Sequence, residues 1–242
     1  MVAVMRKPPV PRCEFCAAKH PGGLCGLSSG AAGRFAGSRV AHLYERGQVI
    51  FHEGLPAHSL FIIHSGRVRV FRTWTNGEEQ VLRVLGPGEI VGYRPIFANE
   101  PYGASAAAVE DSSVCVVPRE DVLERIRQEP ALALGLLAKL SLELRVSEDL
   151  MMDLIRRPVR ERAARLLLSL VETEGSGAEA RTVVSNQIRR QDLARMIGTT
   201  PETFSRVLRG FAQRGIVELS RERVVVRNVA QLRRAAGERD PR

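Results

Sequence analysis

Hydrophobic residues in this chain follow two different spacings, and the spacing changes at Pro118. Before this proline, short β-branched runs alternate with turn signals such as Ser65-Gly66 and Asn76-Gly77. After it, apolar residues recur every three or four positions, which is the period of amphipathic helices. Strands followed by helices in a chain of 242 residues predict an α+β protein with more than one domain.

The part before Pro118 contains seven apolar runs, and we predict a strand for each of them. Asn76-Gly77 lies between two runs and is a strong signal for a tight β-hairpin. Strands joined by such short turns predict a small antiparallel β-roll over residues 38–129, after a loop-rich arm at residues 1–37. The predicted strands are Val49–Phe51, Leu60–Ile63, Arg67–Trp74, Gln80–Leu85, Ile90–Val91, Ala104–Val109 and Ser113–Val117.

A long helix is predicted for residues 130–157, after a short one near Arg119–Gln128. Pro158 should end it, and a further amphipathic helix is predicted from Val159 to about Glu174. The small and apolar residues of the long helix alternate at spacings of four and three, which is the heptad pattern of helices that pair with each other. We therefore predict a homodimer whose contacts include Leu137, Leu140, Leu144 and Met151. The alternative is a single helix that packs only within its own chain. The complete seam is Ala133, Leu137, Leu140, Leu144, Ser147, Met151 and Leu154.

Positive charge is concentrated in the last part of the chain, residues 158–242. From Asn186 onward there are 13 arginines and six acidic residues, so +7 of the net charge of +9 lies there. A positive field on one domain is typical of proteins that bind a polyanion, most commonly nucleic acid. On charge alone, an ordinary solvated surface is the alternative.

Two helical segments separated by a glycine turn lie in this basic region. The first is Arg189–Ile197, the turn is Gly198–Thr200, and the second begins at Pro201 and continues to about Arg214. This is the pattern of a helix-turn-helix, whose second helix enters the major groove of DNA. Two strands that follow, Ile216–Leu219 and Arg223–Val226, predict a β-wing.

The second helix offers side chains that suit base recognition. Arginine can bond to O6 and N7 of guanine, and a carboxylate can accept from N4 of cytosine. We therefore predict that Glu202, Ser205 and Arg206 read bases. Phosphate contacts that fix the register of the protein on DNA are predicted for other arginines: Arg189, Arg190, Arg209, Arg221 and Arg223.

Three stretches of the sequence resemble the family of the cyclic-AMP receptor and the fumarate-nitrate reduction regulator (CRP/FNR). They are SLFIIHSGRVRVF (Ser59–Phe71), LGPGEIVG (Leu85–Gly92) and PETFSR (Pro201–Arg206), and the last is similar to the Glu-x-x-Ser-Arg pattern of the oxygen-sensing branch. The resemblance extends from about Tyr44 to Val226. It implies a β-roll like that of cyclic-nucleotide-binding domains and a winged helix-turn-helix. It also implies a homodimer on palindromic double-stranded DNA with half-sites like TTGAT/ATCAA, and RNA polymerase as a partner.

The family has two sensing branches, and the resemblance separates them at a few residues. The nucleotide branch holds the cyclic phosphate with an Arg-Ser pair, where this chain has Gly103 and Ala104. We therefore do not expect cyclic AMP to bind. The iron-sulfur branch uses four cysteines, and SSVCVVP around Cys115 is similar to the strand that carries its fourth ligand. The resemblance thus implies a [4Fe–4S] cluster on Cys13, Cys16, Cys25 and Cys115.

Other interpretations of the cysteines remain open at this point. Four thiolates also suit a tetrahedral zinc ion, and a thiol-disulfide switch needs no metal. The gap of eight residues between Cys16 and Cys25 is longer than in the best-known member of the branch. Cys115 alone could be an ordinary small core residue. A thiol oxidoreductase that uses Cys13 and Cys16 is a rival hypothesis, but no βαβ pattern surrounds them.

Composition excludes some classes of protein. With 44% hydrophobic and 26% charged residues, the chain has the profile of a globular protein. No apolar run approaches the roughly 20 residues of a membrane helix. We therefore expect a cytoplasmic protein without a membrane partner and without catalytic residues.

Overall fold

The computed structural model describes residues 40–174, 182–184, 189–220 and 224–238. The chain divides into two compact units between Leu142 and Glu143, a point inside the long helix α3 (Pro130–Arg156). Cys13, Cys16, Cys25, Arg221 and Arg223 lie outside the described residues, so their predicted roles concern parts of the chain about which the structure is silent.

The described part of the first unit contains eight strands: β1 (Val40–Tyr44), β2 (Val49–Phe51), β3 (Ser59–Ser65), β4 (Val68–Thr73), β5 (Glu79–Leu85), β6 (Ile90–Val91), β7 (Ser105–Ala108) and β8 (Ser112–Pro118). They form two four-stranded antiparallel sheets, ordered β1-β8-β3-β6 and β2-β7-β4-β5. The predicted hairpin joins β4 to β5, where the Trp74 N–H donates to the Glu78 carbonyl at 2.8 Å. Gly77 adopts φ +81° in this turn, a conformation that favours glycine.

Helices α1 (Arg94–Ala98), α2 (Arg119–Gln128) and the first turns of α3 cover one side of the β1-β8-β3-β6 sheet. Leu132 and Leu136 of α3 are only 1% and 3% exposed, and Leu136 belongs to the same buried cluster as Leu60 and Ile62 of β3. The early part of α3 therefore uses its apolar face for the core of its own chain.

The described part of the second unit contains the end of α3, four further helices and one small sheet. These elements are α4 (Val159–Glu174), β9 (Thr182–Val184), α5 (Arg190–Met196), α6 (Pro201–Gln213), β10 (Val217–Leu219), β11 (Val224–Val226) and α7 (Val229–Ala235). Ala163, Ala164 and Leu167 of α4 are buried, as are Leu193 of α5 and Phe204 of α6. The sheet is antiparallel in the order β10-β11-β9.

The predicted α+β class and the order of elements are confirmed, with four short elements added. The sequence analysis did not predict β1, α1, β9 or α7, each of which has seven residues or fewer. Such short elements form because they pair with or pack on distant parts of the chain, as β1 does along β8. No helix in the described ranges combines the length and the apolar character that crossing a bilayer requires.

Candidate nucleic-acid interface and sensor residues

Helix α6 begins with a complete N-terminal cap. The Thr200 side-chain oxygen accepts from the Thr203 backbone N–H at 3.3 Å, and Pro201 occupies the first turn, where its missing N–H costs nothing. The connection from α5 is short and contains Gly198 in the left-handed region at φ +62°. The cap and the glycine turn fix the point at which α6 starts.

Burial on one side of α6 determines which residues face outward. Phe204, Leu208 and Phe211 are no more than 1% exposed, at the spacing of one helix face. Glu202 and Arg206 are exposed and Ser205 is half-buried, all in the N-terminal half of the helix. In a helix that enters the major groove, this half is the part that reaches base edges. The predicted base-reading residues therefore lie together on an accessible face.

The two charged base-reading candidates are both available for contacts outside the chain. Hydrogen bonds from its own backbone N–H and from the Thr200 hydroxyl hold the pKa of the Glu202 carboxyl below its usual value. Glu202 therefore stays an ionised acceptor at neutral pH. Among the residues that the structure describes, none forms an ion pair with Arg206.

The predicted phosphate contacts have different surroundings in the structure. Arg209 is exposed on α6, and its Nε donates to the Ser205 carbonyl at 3.4 Å. Arg189 is also exposed, but its Nε lies 2.9 Å from Oδ2 of the buried Asp192. Arg190 donates to the Ser220 carbonyl at the end of β10. Arg189 thus stabilises the start of α5, and Arg190 connects α5 to the wing.

One residue near this site was not anticipated from the sequence. Arg162 of α4 donates from Nη1 to the carbonyl of Ile197, which is the last residue before the Gly198 turn, at 2.6 Å. Nothing in the local sequence around Arg162 signals this contact, because the two residues are 35 positions apart.

The predicted dimer seam on α3 is largely exposed in the single chain. Leu137, Leu144 and Met151 are 57%, 62% and 56% exposed. Leu140 differs from them, since it is partly buried against the core of the β-roll. Seven further large apolar residues of α3 are exposed: Leu134, Leu142, Val146, Leu150, Met152, Leu154 and Ile155.

Cys115 lies in the middle of β8 and points into the core. It is 2% exposed and belongs to the cluster that contains Ile90, Tyr93 and Leu136. Ala41 of β1 is its partner on the neighbouring strand and packs against the same cluster. Adjacent strands are about 4.8 Å apart, so β1, the first strand in the described ranges, passes beside Cys115. Within the described ranges, no group of three or more His, Cys, Asp or Glu residues could hold a metal ion.

The β-roll contains a cavity of about 250 Å³ beside a stack of aromatic rings. Phe51 and Tyr102 line it, with ring centroids 4.2 Å apart. Gly103 and Ala104 also line it and contribute no cationic group. Two arginines, Arg83 and Arg94, lie in the wall, and each interacts with another part of the chain.

Two models of protein families match this chain. Residues 41–129 match the cyclic nucleotide-binding domain. Residues 161–235 match the Crp-like helix-turn-helix domain. The two matches cover the β-roll with its following helix and the basic region that contains α6.

Relatives of known name support the same assignment over most of the chain. The cyclic AMP receptor protein of Thermus thermophilus is 40% identical over 195 residues, which are 80% of this chain and 87% of the relative. The transcriptional activator protein Anr of Pseudomonas aeruginosa is 31% identical over 197 residues, which are 80% and 79% of the two chains. The structure of FixK2 from Bradyrhizobium japonicum has a TM-score of 0.74 at 25% identity and covers 84% of this chain and 99% of that one. The chain therefore belongs to the CRP/FNR family of DNA-binding transcriptional regulators, whose members are not enzymes.

Proposed function

We propose that this chain is an FNR-like regulator that binds palindromic DNA as a homodimer, recruits RNA polymerase and senses oxygen or redox state through a [4Fe–4S] cluster. Its site of action would be the cytoplasm, where its DNA lies. In this proposal residues 1–37 are the cysteine-containing arm, 38–129 the sensor, 130–157 the dimerisation helix and 158–242 the DNA-binding domain. Half-sites like TTGAT/ATCAA are the expected targets.

The observation that carries the DNA-binding proposal is the pair of exposed charged residues Glu202 and Arg206, with the half-buried Ser205 between them, on a helix whose opposite face is buried. An arginine and a carboxylate one turn apart can address a guanine and a cytosine in the major groove. Sequence-specific binding is tested by fluorescence anisotropy at fixed salt, which compares the affinity for a labelled palindrome with that for a scrambled duplex of equal composition. Equal affinity for the two duplexes would contradict sequence-specific binding.

Homodimer formation is supported by the exposed apolar surface of α3. Soluble monomers seldom leave so many large apolar residues accessible on one element, because their exposure to water is unfavourable. A second copy of the same helix offers a matching heptad seam, and a two-fold dimer suits a palindrome. Leu140 contributes less to such a seam than the other predicted contacts, since its own β-roll covers part of it.

The proposed cluster ligands are Cys115 and the arm residues Cys13, Cys16 and Cys25. Cys115 suits this role in two respects: its surroundings exclude water, and the strand next to it is the first one after the arm. Fourteen residues lie between Cys25 and Val40, which is ample chain length for the arm to return to β8. A bound cluster would supply a centre that oxygen and nitric oxide attack.

Metal analysis of protein purified without oxygen tests the proposed cluster. We expect about four iron and four sulfide per chain and a brown absorbance that bleaches in air. Cys115→Ala should lower the iron content strongly, whereas the free energy of unfolding should change little, because the substitution removes only the sulfur atom from the core. The matched control is Ser113→Ala, two residues earlier on the same strand, which should keep its iron.

Two other outcomes of this measurement would each replace the cluster. One zinc per chain and no sulfide would indicate a structural site with four thiolates. An empty protein with reversible thiol oxidation would indicate a thiol-disulfide switch. Both outcomes leave the DNA-binding proposal standing, because the DNA-contacting residues belong to a different unit of the chain.

Cyclic AMP is a second candidate signal, because residues 41–129 match the cyclic nucleotide-binding domain. We expect 1 mM cyclic AMP to leave the melting temperature unchanged, since Gly103 and Ala104 offer no charge to the phosphate. A ligand with a Kd one hundredfold lower than its concentration would raise the free energy of unfolding by about 2.7 kcal/mol. For a chain of this size, that raises the melting temperature by roughly 5–10 °C. A shift of that size by differential scanning fluorimetry, with cyclic GMP as the comparison, would contradict this expectation.

A further inference from the structure

The turn of the helix-turn-helix lies directly against the last turn of α3. A Cβ atom at Gly198 would be 2.8 Å from Cδ2 of Leu154, which is closer than carbon atoms in contact can be. The φ of +62° at the same residue also favours glycine. Glycine therefore lets the turn and Leu154 approach to this distance.

Arg162 holds the same turn from α4. Its Nη1 donates at 2.6 Å to the carbonyl of Ile197, a residue that is 3% exposed at the end of α5. The carbonyls at a helix C-terminus lack partners within the helix and carry partial negative charge, so a guanidinium there is favourable. Its Nη1 would also lie 3.4 Å from a Cβ at Gly198. Leu154 and Arg162 thus flank one glycine.

The partners of Arg162 differ from those of neighbouring arginines. Arg157 and Arg165 are paired with Asp153 of α3, through Nε to carboxylate contacts of 2.6 and 2.7 Å. In the described part of the chain no carboxylate pairs with Arg162, and its buried Nε has no acceptor. Burying a guanidinium is costly unless it makes specific contacts, so the hydrogen bond to the turn is the contact that accounts for its position.

We propose that Leu154 and Arg162 are positioning residues that fix the orientation of α6 relative to α3. This rests on the proposed homodimer, in which paired α3 helices would place the two recognition helices about 34 Å apart. The Leu154 and Arg162 contacts then determine whether both helices reach their half-sites at once. A single half-site needs only one α6 and is insensitive to them.

The chain between the contacts and the DNA-reading residues is short. Thr200 caps α6 two residues after Gly198, and Glu202 follows in the first turn. A displacement of the turn therefore moves the N-terminus of α6 with it. The ion pair between Asp153 and Arg165 attaches α3 to α4, so the end of α3, α4 and the turn form one connected set.

The test compares binding to a full palindrome with binding to a duplex that carries one half-site, using the full-length protein. Arg162→Gln should lower the affinity for the palindrome about tenfold, the usual effect of losing one charged hydrogen bond. Its affinity for the single half-site should stay within about twofold. Arg162→Lys keeps a donor and should recover part of the loss. Leu154→Ala removes the contact of α3 with the Gly198 turn and should act like Arg162→Gln. Because Leu154 also belongs to the predicted heptad seam, dimerisation of this variant is measured alongside.

Arg160→Gln is the matched control on the same helix. Arg160 is exposed, and its guanidinium carbon lies 5.9 Å from the Phe211 ring centroid. Among the described residues it makes no hydrogen bond to the turn, so both affinities should be unchanged. Equal losses on both duplexes would show that Arg162 only maintains the fold, and no loss on either would also overturn the proposal. If the unmodified protein did not dimerise or did not prefer the palindrome, the proposed function itself would be at fault.

Discussion

Changing Leu144 to Asp is expected to convert the dimer into single chains and to lower the affinity for a palindrome by roughly 10²- to 10⁴-fold. That range is the usual gain when two binding modules are linked so that both engage at once. Leu144 is 62% exposed in the single chain, so the substitution leaves the core of each chain intact. In a paired seam, however, the two introduced carboxylates would be buried close to each other without partners. Analytical ultracentrifugation gives the mass, and anisotropy gives the affinity.

A charge on the same helix outside the seam is the control for this variant. Arg145 is the next residue, is exposed and lies outside the heptad positions, so Arg145→Asp should stay dimeric. Leu144→Asp should also keep its affinity for a single half-site, because helix α6 is unaffected. A Leu144→Asp protein that remained dimeric would show that another surface of the chain forms the interface.

Prediction from the sequence succeeded where a residue's role depends on its near neighbours. The strands β2 to β8, the helices α2 to α6 and the wing all have local periodicity and turn residues that specify them. The short strand β9 (Thr182–Val184) has no such pattern and exists through its pairing with β11. Its formation depends on a partner about 40 residues away, which no local pattern reveals.

Side-chain partners were harder to predict than elements. The sequence identified Arg189 as a cation near the DNA-binding helices, yet its ion pair with Asp192 depends on how α5 begins. Leu140 fits the heptad seam by spacing, although the β-roll of the same chain covers part of it. Arg162 had no local signal. In each case, burial and tertiary contacts decide what a periodic pattern leaves open.

Changing Arg206 to Ala is expected to weaken binding by about 1–3 kcal/mol per half-site, or roughly 5- to 150-fold, and to relax discrimination at one base pair. The reason is that Arg206 is exposed on α6 and free of ion pairs within the described residues, so its donors remain available for a base. The free energy of unfolding should stay within about 0.5 kcal/mol of that of the unmodified protein, as is usual for substitutions at exposed positions. Anisotropy with palindromes that carry each base substitution in turn measures the discrimination.

Arg209→Ala is the control that separates reading a base from contacting the backbone. Both arginines are exposed on α6 and lie three positions apart, so each substitution removes one positive charge from the same surface. Loss of a phosphate contact should weaken binding to all sequences alike and reduce the salt dependence by about one ion per chain. Loss of a base contact should instead make the affinities equal for palindromes that differ only at the base pair that Arg206 reads. If Arg206→Ala weakened every duplex equally, Arg206 would be a phosphate contact, and base reading on α6 would rest on Glu202 and Ser205.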